Sequence, residues 1–75
     1  MGWLKDRREE REASHARKRA EKSSTMDLNQ WVDVCLVNIS RGVRNGSTES
    51  LQEASFNAEI LNVIIDEIRT RSVRL

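Results

Sequence analysis

Apolar residues return along the C-terminal half of the chain at alternating steps of three and four: Leu51, Ala54, Ala58, Leu61, Ile65, Ile68. That spacing is one stripe of a long α-helix, predicted over about 48–72. A second stripe, Phe56, Ile60, Val63 and Ile64, falls on another side of the same helix when residues are placed at about 100° each. One neighbouring helix covers one side only. Upstream, Leu28, Val32, Cys35, Leu36, Ile39 and Val43 make the apolar face of a helix predicted over about 26–44, with Trp31 on its flank. Val34 and Val37 break the polarity of its outer side. The β-branched run from Trp31 to Ile39 also admits a strand, but a segment of some 18 residues favours helix.

The punctuation agrees with this division. Ser24 with Asp27 three residues later reads as an N-cap with an acidic third position. Asn45-Gly46 supplies a left-handed residue after Arg41 and Arg44, as a helix C-terminus prefers. Ser47, or Ser50 with Glu53, opens the next helix, and Arg69, Arg71 and Arg74 complement its far end. A connection this short predicts antiparallel packing.

Residues 1–25 are different. From Lys5 to Lys22 the pattern is charged nearly all round, with opposite charges at helical spacing (Lys5 with Glu9, Arg8 with Glu12, Arg17 with Glu21) and a thin apolar line of Ala13, Ala16 and Ala20. Exposed pairs of this kind contribute little. The expectation is a solvated helix or disordered arm, too thinly apolar to anchor to a core, whose removal leaves the stability of 26–75 unchanged. Trp3 and Leu4 are the exception, two apolar residues able to dock on a neighbouring surface.

Composition narrows the picture. Pro is absent and Gly occurs three times among 75 residues, which favours an all-α fold. A chain this short rarely has a self-sufficient core, and one Cys closes no internal disulfide. Self-association is the remaining support, so the hairpin of residues 26–75 is expected to pair into a four-helix arrangement, most simply a homodimer. Leu51, Ala58, Leu61, Ile64, Ile65 and Ile68 are the candidate oligomer interface. Trp31, Phe56, Ile60, Trp3 and Leu4 are candidates for binding a larger protein partner.

The net charge is +1, so no global field points to nucleic acid or an anionic membrane. Locally, residues 1–25 hold eight Lys/Arg against five Asp/Glu, whereas 26–75 hold five against seven. Arg17, Lys18, Arg19 and Lys22 are therefore the candidate contacts for a nucleic acid, the alternative to protein binding. A basic helix ahead of a dimerising module is how zipper proteins enter the major groove. Glu9, Glu10, Glu12 and Glu21 interrupt that face, however, and Ser23 to Thr25 breaks the helix. A helix-turn-helix reading places Glu49 and Glu53 against phosphate.

Catalytic chemistry finds no set of groups: one His, one Cys, no Tyr and no glycine-rich phosphate loop. No cofactor or metal site is expected. His15 lies among cations and Cys35 on an apolar stripe, where a free thiol acts as a small hydrophobe. No apolar run of 18 residues spans a bilayer, and no secretory signal is visible, so the expected compartment is cytoplasmic. Gly2 lacks the Ser or Thr at position 6 that acylation wants, and the glycosylation patterns at Asn38 and Asn45 then carry no weight.

Overall fold

The computed structural model describes residues 14–73, all helical apart from two short turns. Three helices follow in order: α1 (14–22), α2 (Thr25–Asn45) and α3 (Thr48–Val73). Trp3, Leu4, Ala13 and Arg74 lie outside the described residues.

Each helix end has a local cause. Ser24 is in extended backbone and its hydroxyl accepts from the Asp27 amide at 3.1 Å, satisfying one of the donors that a helix start leaves free. The Trp31 to Ile39 run continues as helix, because α2 carries its buried positions at seven-residue spacing: Leu28, Cys35 and Gly42. Gly46 then adopts φ 75°, and its amide donates to the Gly42 carbonyl at 3.1 Å, closing α2 with a left-handed residue. One residue later the Ser47 hydroxyl accepts from the Ser50 amide at 3.1 Å, so Ser47 rather than Ser50 caps α3.

Contacts between α2 and α3 run in opposite chain order. Gly42 meets Ser50 and Ala54, Asn38 donates to Asn57 at 3.3 Å, and Thr25 meets Arg71. The two helices therefore lie alongside each other head to tail. They approach most closely at Gly42, where an added Cβ would stand 2.5 Å from the Ser50 carbonyl oxygen and 2.9 Å from the Ala54 Cβ. A glycine inside a helix costs about 1 kcal/mol relative to alanine, and here the close approach requires it.

The first helix departs from expectation. Ala16 and Ala20 are buried, the latter completely, in one cluster with Leu28, Cys35, Val63 and Ile64. A line of alanines is a thin source of apolar area, but it lets a backbone come close to a partner, so the large side chains of α2 and α3 close over it. Arg71 reinforces the contact from α3. Its Nη2 donates to the Ala20 carbonyl at 3.0 Å and the Ser23 carbonyl at 2.6 Å, while Nη1 donates to the Thr25 hydroxyl at 3.2 Å. The Ala20 carbonyl also accepts from the Ser23 amide at 3.2 Å, so Arg71 adds a second donor there and supplies one to the Ser23 carbonyl in the turn after α1. Nε of the same guanidinium pairs with Glu67 at 3.1 Å, with both side chains largely covered. The Arg69–Asp66 pair, by contrast, is exposed and adds little.

Candidate functional site

The pair of α2 and α3 has two long faces, and the chain treats them differently. Taking Leu28 and Ile64, both fully buried, as the inward direction of each helix, the other residues can be placed at about 100° steps. Because the helices run in opposite directions, increasing angle turns toward the same side on both.

On one side lie Trp31 from α2 and Phe56, Ile60 and Val63 from α3. This is the side α1 covers. The Arg19 guanidinium sits 4.2 Å from the centre of the Trp31 ring, and Trp31 and Ile60 pack against the cluster that contains Ala16 and Ala20. Of the residues marked for partner binding, Trp31 and Ile60 thus serve the chain's own core, and Phe56 is half-buried on the same side. Trp3 and Leu4 lie outside the described residues.

The opposite side has no helix over it among the described residues. From α2 it receives Val32, Leu36, Ile39 and Val43, and from α3 Leu51, Ala58, Leu61, Ile65 and Ile68. Those nearest the seam, Val32, Leu61 and Ile68, are half-buried against the core. Further out, Leu36 is 50% exposed, Val43 58%, Leu51 45% and Ile65 49%. Five of the six residues marked as an oligomer interface fall on this face. The sixth does not: Ile64 is fully buried within one chain, facing α1 and α2, because it belongs to the second stripe of α3.

The α3 residues here follow a seven-residue period. Leu51, Ala58 and Ile65 form the outer row, with Ala54, Leu61 and Ile68 toward α2. Two rows at that period are what a helix shows when it packs at a shallow angle against more than one neighbour. The polar residues among them include the uncharged Asn29 and Ser40 on α2 and Asn62 on α3. Asp33 and Arg69, of opposite charge, stand at the same bearing as Leu51.

The cations of α1 do not form one surface. Arg17, Lys18 and Arg19 are consecutive, so they fan across about 200° of the helix, and Arg19 is engaged with Trp31. Arg19 also lies near Cys35, sixteen positions along the chain, a proximity with no local signal. That thiol is buried; burial raises its pKa, and the Arg19 charge lowers it less. It stays protonated at neutral pH and behaves as a small hydrophobe. His15 is exposed on α1. No group of three His, Cys, Asp or Glu among the described residues is placed to hold a metal ion. A shallow polar cleft of about 320 Å³ lies at the α2–α3 turn, lined by Asn38, Arg41, Gly42, Ser50, Glu53 and Asn57. No helix among the described residues is long and apolar enough to cross a membrane.

Gly42 and Arg71 escaped the sequence reading as positioning residues. The glycine's seven-residue spacing from Cys35 and Leu28 was the available signal; for Arg71 there was none beyond a favourable charge at a helix end. Compared with protein-family models, with curated proteins and with solved structures, the chain matches none.

Proposed function

We propose that this chain is a non-catalytic protein-interaction module. A helical hairpin formed by α2 and α3 self-associates through its open apolar face into a four-helix arrangement, and the assembled unit engages a larger protein partner. The observation that carries this reading is the row of half-exposed Leu36, Val43, Leu51 and Ile65 on one face of the α2–α3 pair. Isolated surface hydrophobes are ordinary, but a contiguous set from two helices marks an interaction site. A second copy suits it in both chemistry and size. A face whose few charges, Asp33 and Arg69, are of opposite sign meets its own copy with little like-charge repulsion, and isologous pairing is the commonest mode of assembly. Two adjacent helices about 30 Å long and about 9 Å apart offer roughly 600 Å² in projection, before side-chain relief is counted. A standard interface covers about 800 Å² per partner.

Sedimentation at micromolar concentration tests the assembly. The unmodified chain should run at twice its mass or more. Leu36→Lys combined with Ile65→Lys should run at the single-chain mass with its helical circular dichroism intact, since both substitutions lie on exposed positions. A folded monomer from the unmodified chain would refute self-association.

Nucleic-acid binding through Arg17, Lys18, Arg19 and Lys22 is the competing reading, and salt separates the two. Four phosphate contacts per chain would give a log–log salt slope of about −4. Binding of a protein partner through apolar surface should persist at several hundred millimolar salt. Affinity capture with and without nuclease, followed by that titration, decides between them.

A further inference from the structure

We propose that the polar cleft at the α2–α3 turn is the seat of this chain's own N-terminal segment, upstream of the described residues. That segment carries α1 onward along the closed face and sets Glu9 against Arg41 and Lys5 against Glu53. The cleft lies on the face opposite the self-association surface, so the inference stands or falls independently of dimerisation.

Direction, side and phase, all fixed by described residues, point to this occupant. Only Ser23 and Ser24 join α1 to α2, and Arg19 lies over Trp31, so α1 runs back along α2 with its N-terminal end toward the α2–α3 turn. Each residue upstream therefore stands level with one further along α2. At about 1.5 Å per residue on both helices, residue 9 comes level with Asn38 to Arg41 and residue 5 with Gly42 to Asn45. The side is the same one. Asn38, Gly42 and Asn45 follow Trp31 round one flank of α2 at about 100° per residue, so the cleft they line continues the strip that α1 covers. Phase comes from Ala16 and Ala20, which are buried while the residues around them on α1 are exposed. Glu9 precedes them by seven and eleven residues, and Lys5 by eleven and fifteen. Those spacings return to nearly the same bearing on a helix.

The chemistry beneath changes in step. Where α1 presents alanine, the surface under it is Val63 and Ile64. Where the same line continues as Glu9 and Lys5, the surface is a cleft of about 320 Å³ whose lining is amide, hydroxyl and charge. Asn38 and Asn57 bond across it at 3.3 Å, and Arg41 from α2 and Glu53 from α3 are both exposed along it. An acidic and a basic side chain one helical turn apart thus meet a cation and an anion in matching order. The opposite order would set like charges together at both levels. Exposed ion pairs are weak and salt-sensitive, so the seat should loosen as ionic strength rises.

Two measurements on the full chain test the proposal. A nitroxide on Gln52→Cys, an exposed position beside the cleft, is specific because Cys35 is buried. In amide spectra it should broaden Lys5 to Glu9 and leave Lys18 to Lys22, at the far end of α1, sharp. Amides of Lys5 to Glu9 as sharp as those of Lys18 to Lys22 would overturn the proposal. Charge reversal tests the pairing itself. Glu9→Lys or Arg41→Glu alone should speed hydrogen exchange of the amides of residues 9–13 by about two- to fivefold, the weight of one exposed ion pair, and the two together should restore it. No change in either single variant, or no recovery in the double, would overturn the assignment of Glu9 to Arg41.

Discussion

The two faces of the α2–α3 pair carry comparable apolar stripes, yet one is closed by the chain itself and the other is left half in water. On the closed face the large residues Trp31, Ile60 and Val63 meet a helix whose buried residues, among those described, are Ala16 and Ala20. On the open face Leu36, Val43, Leu51 and Ile65 stay about half exposed, with no helix over them among the described residues. The difference shows that cover does not need apolar bulk on both sides. A backbone that can approach closely, because its contact residues are small, lets the large side chains opposite close around it.

That contrast can be broken most severely at Ile64. An aspartate there is forced into the fully buried interior of one chain. Ile64→Asp should cost more than about 4 kcal/mol and abolish the helical circular dichroism. If the variant instead stays helical and merely halves its mass, Ile64 belongs to a subunit seam and the assignment of faces is reversed.

Removing residues 1–22 acts on the closed face alone. Two buried methyl groups vanish and Val63 and Ile60 become exposed, so the loss should be about 2 kcal/mol or more, read as a lower urea midpoint. Self-association through the other face should survive. An unchanged midpoint would restore the view of this segment as a solvated arm.

Between the faces, Gly42 sets how closely the helices approach. In an open helix Gly→Ala stabilises by about 1 kcal/mol, but here the new methyl would stand 2.5 Å from a backbone carbonyl. Gly42→Ala should therefore destabilise, by about 1–3 kcal/mol, and shift the same midpoint downward. A gain in stability would mean that the helices separate without penalty.

The smallest effect sharpens the comparison at Cys35, sealed at the junction with α1. Its pKa is raised by burial, with Arg19 opposing more weakly, so the folded state holds its proton more firmly than the unfolded chain does. That contribution is fully present below the ordinary thiol value of 9.0 and is lost as pH rises through the raised one. Stability should fall slightly above pH 9. Alkylation by iodoacetamide at neutral pH should be much slower than in the unfolded chain, and a fast reaction would place Cys35 at the surface.

Much of this architecture was legible in the residues taken alone. The steps of three and four along α3, the Ser24–Asp27 cap and the Asn45-Gly46 turn are local signals, because helix period and backbone capping involve neighbours within a few positions. That α3 carried two apolar stripes was likewise readable from 100° geometry. The sequence thus determined an all-helical chain, its α2 and α3 boundaries to within a residue or two, and the existence of two apolar faces.

Which face the chain keeps for itself was decided only by tertiary structure. Ala16 and Ala20 look negligible as apolar area, and nothing within four residues of either says that a backbone will be admitted against Val63 and Ile64. Arg71 reads as a cation at a helix end, and its reach to Ala20 and Ser23, about fifty positions earlier, depends on how three helices stack. Gly42 reads as a helix flaw until the Ser50 carbonyl is seen beside it. Each depends on contacts between residues far apart in the chain. Apolar periodicity measures how much surface a helix must hide, whereas closeness of approach, which decides what hides it, is a property of the packed pair.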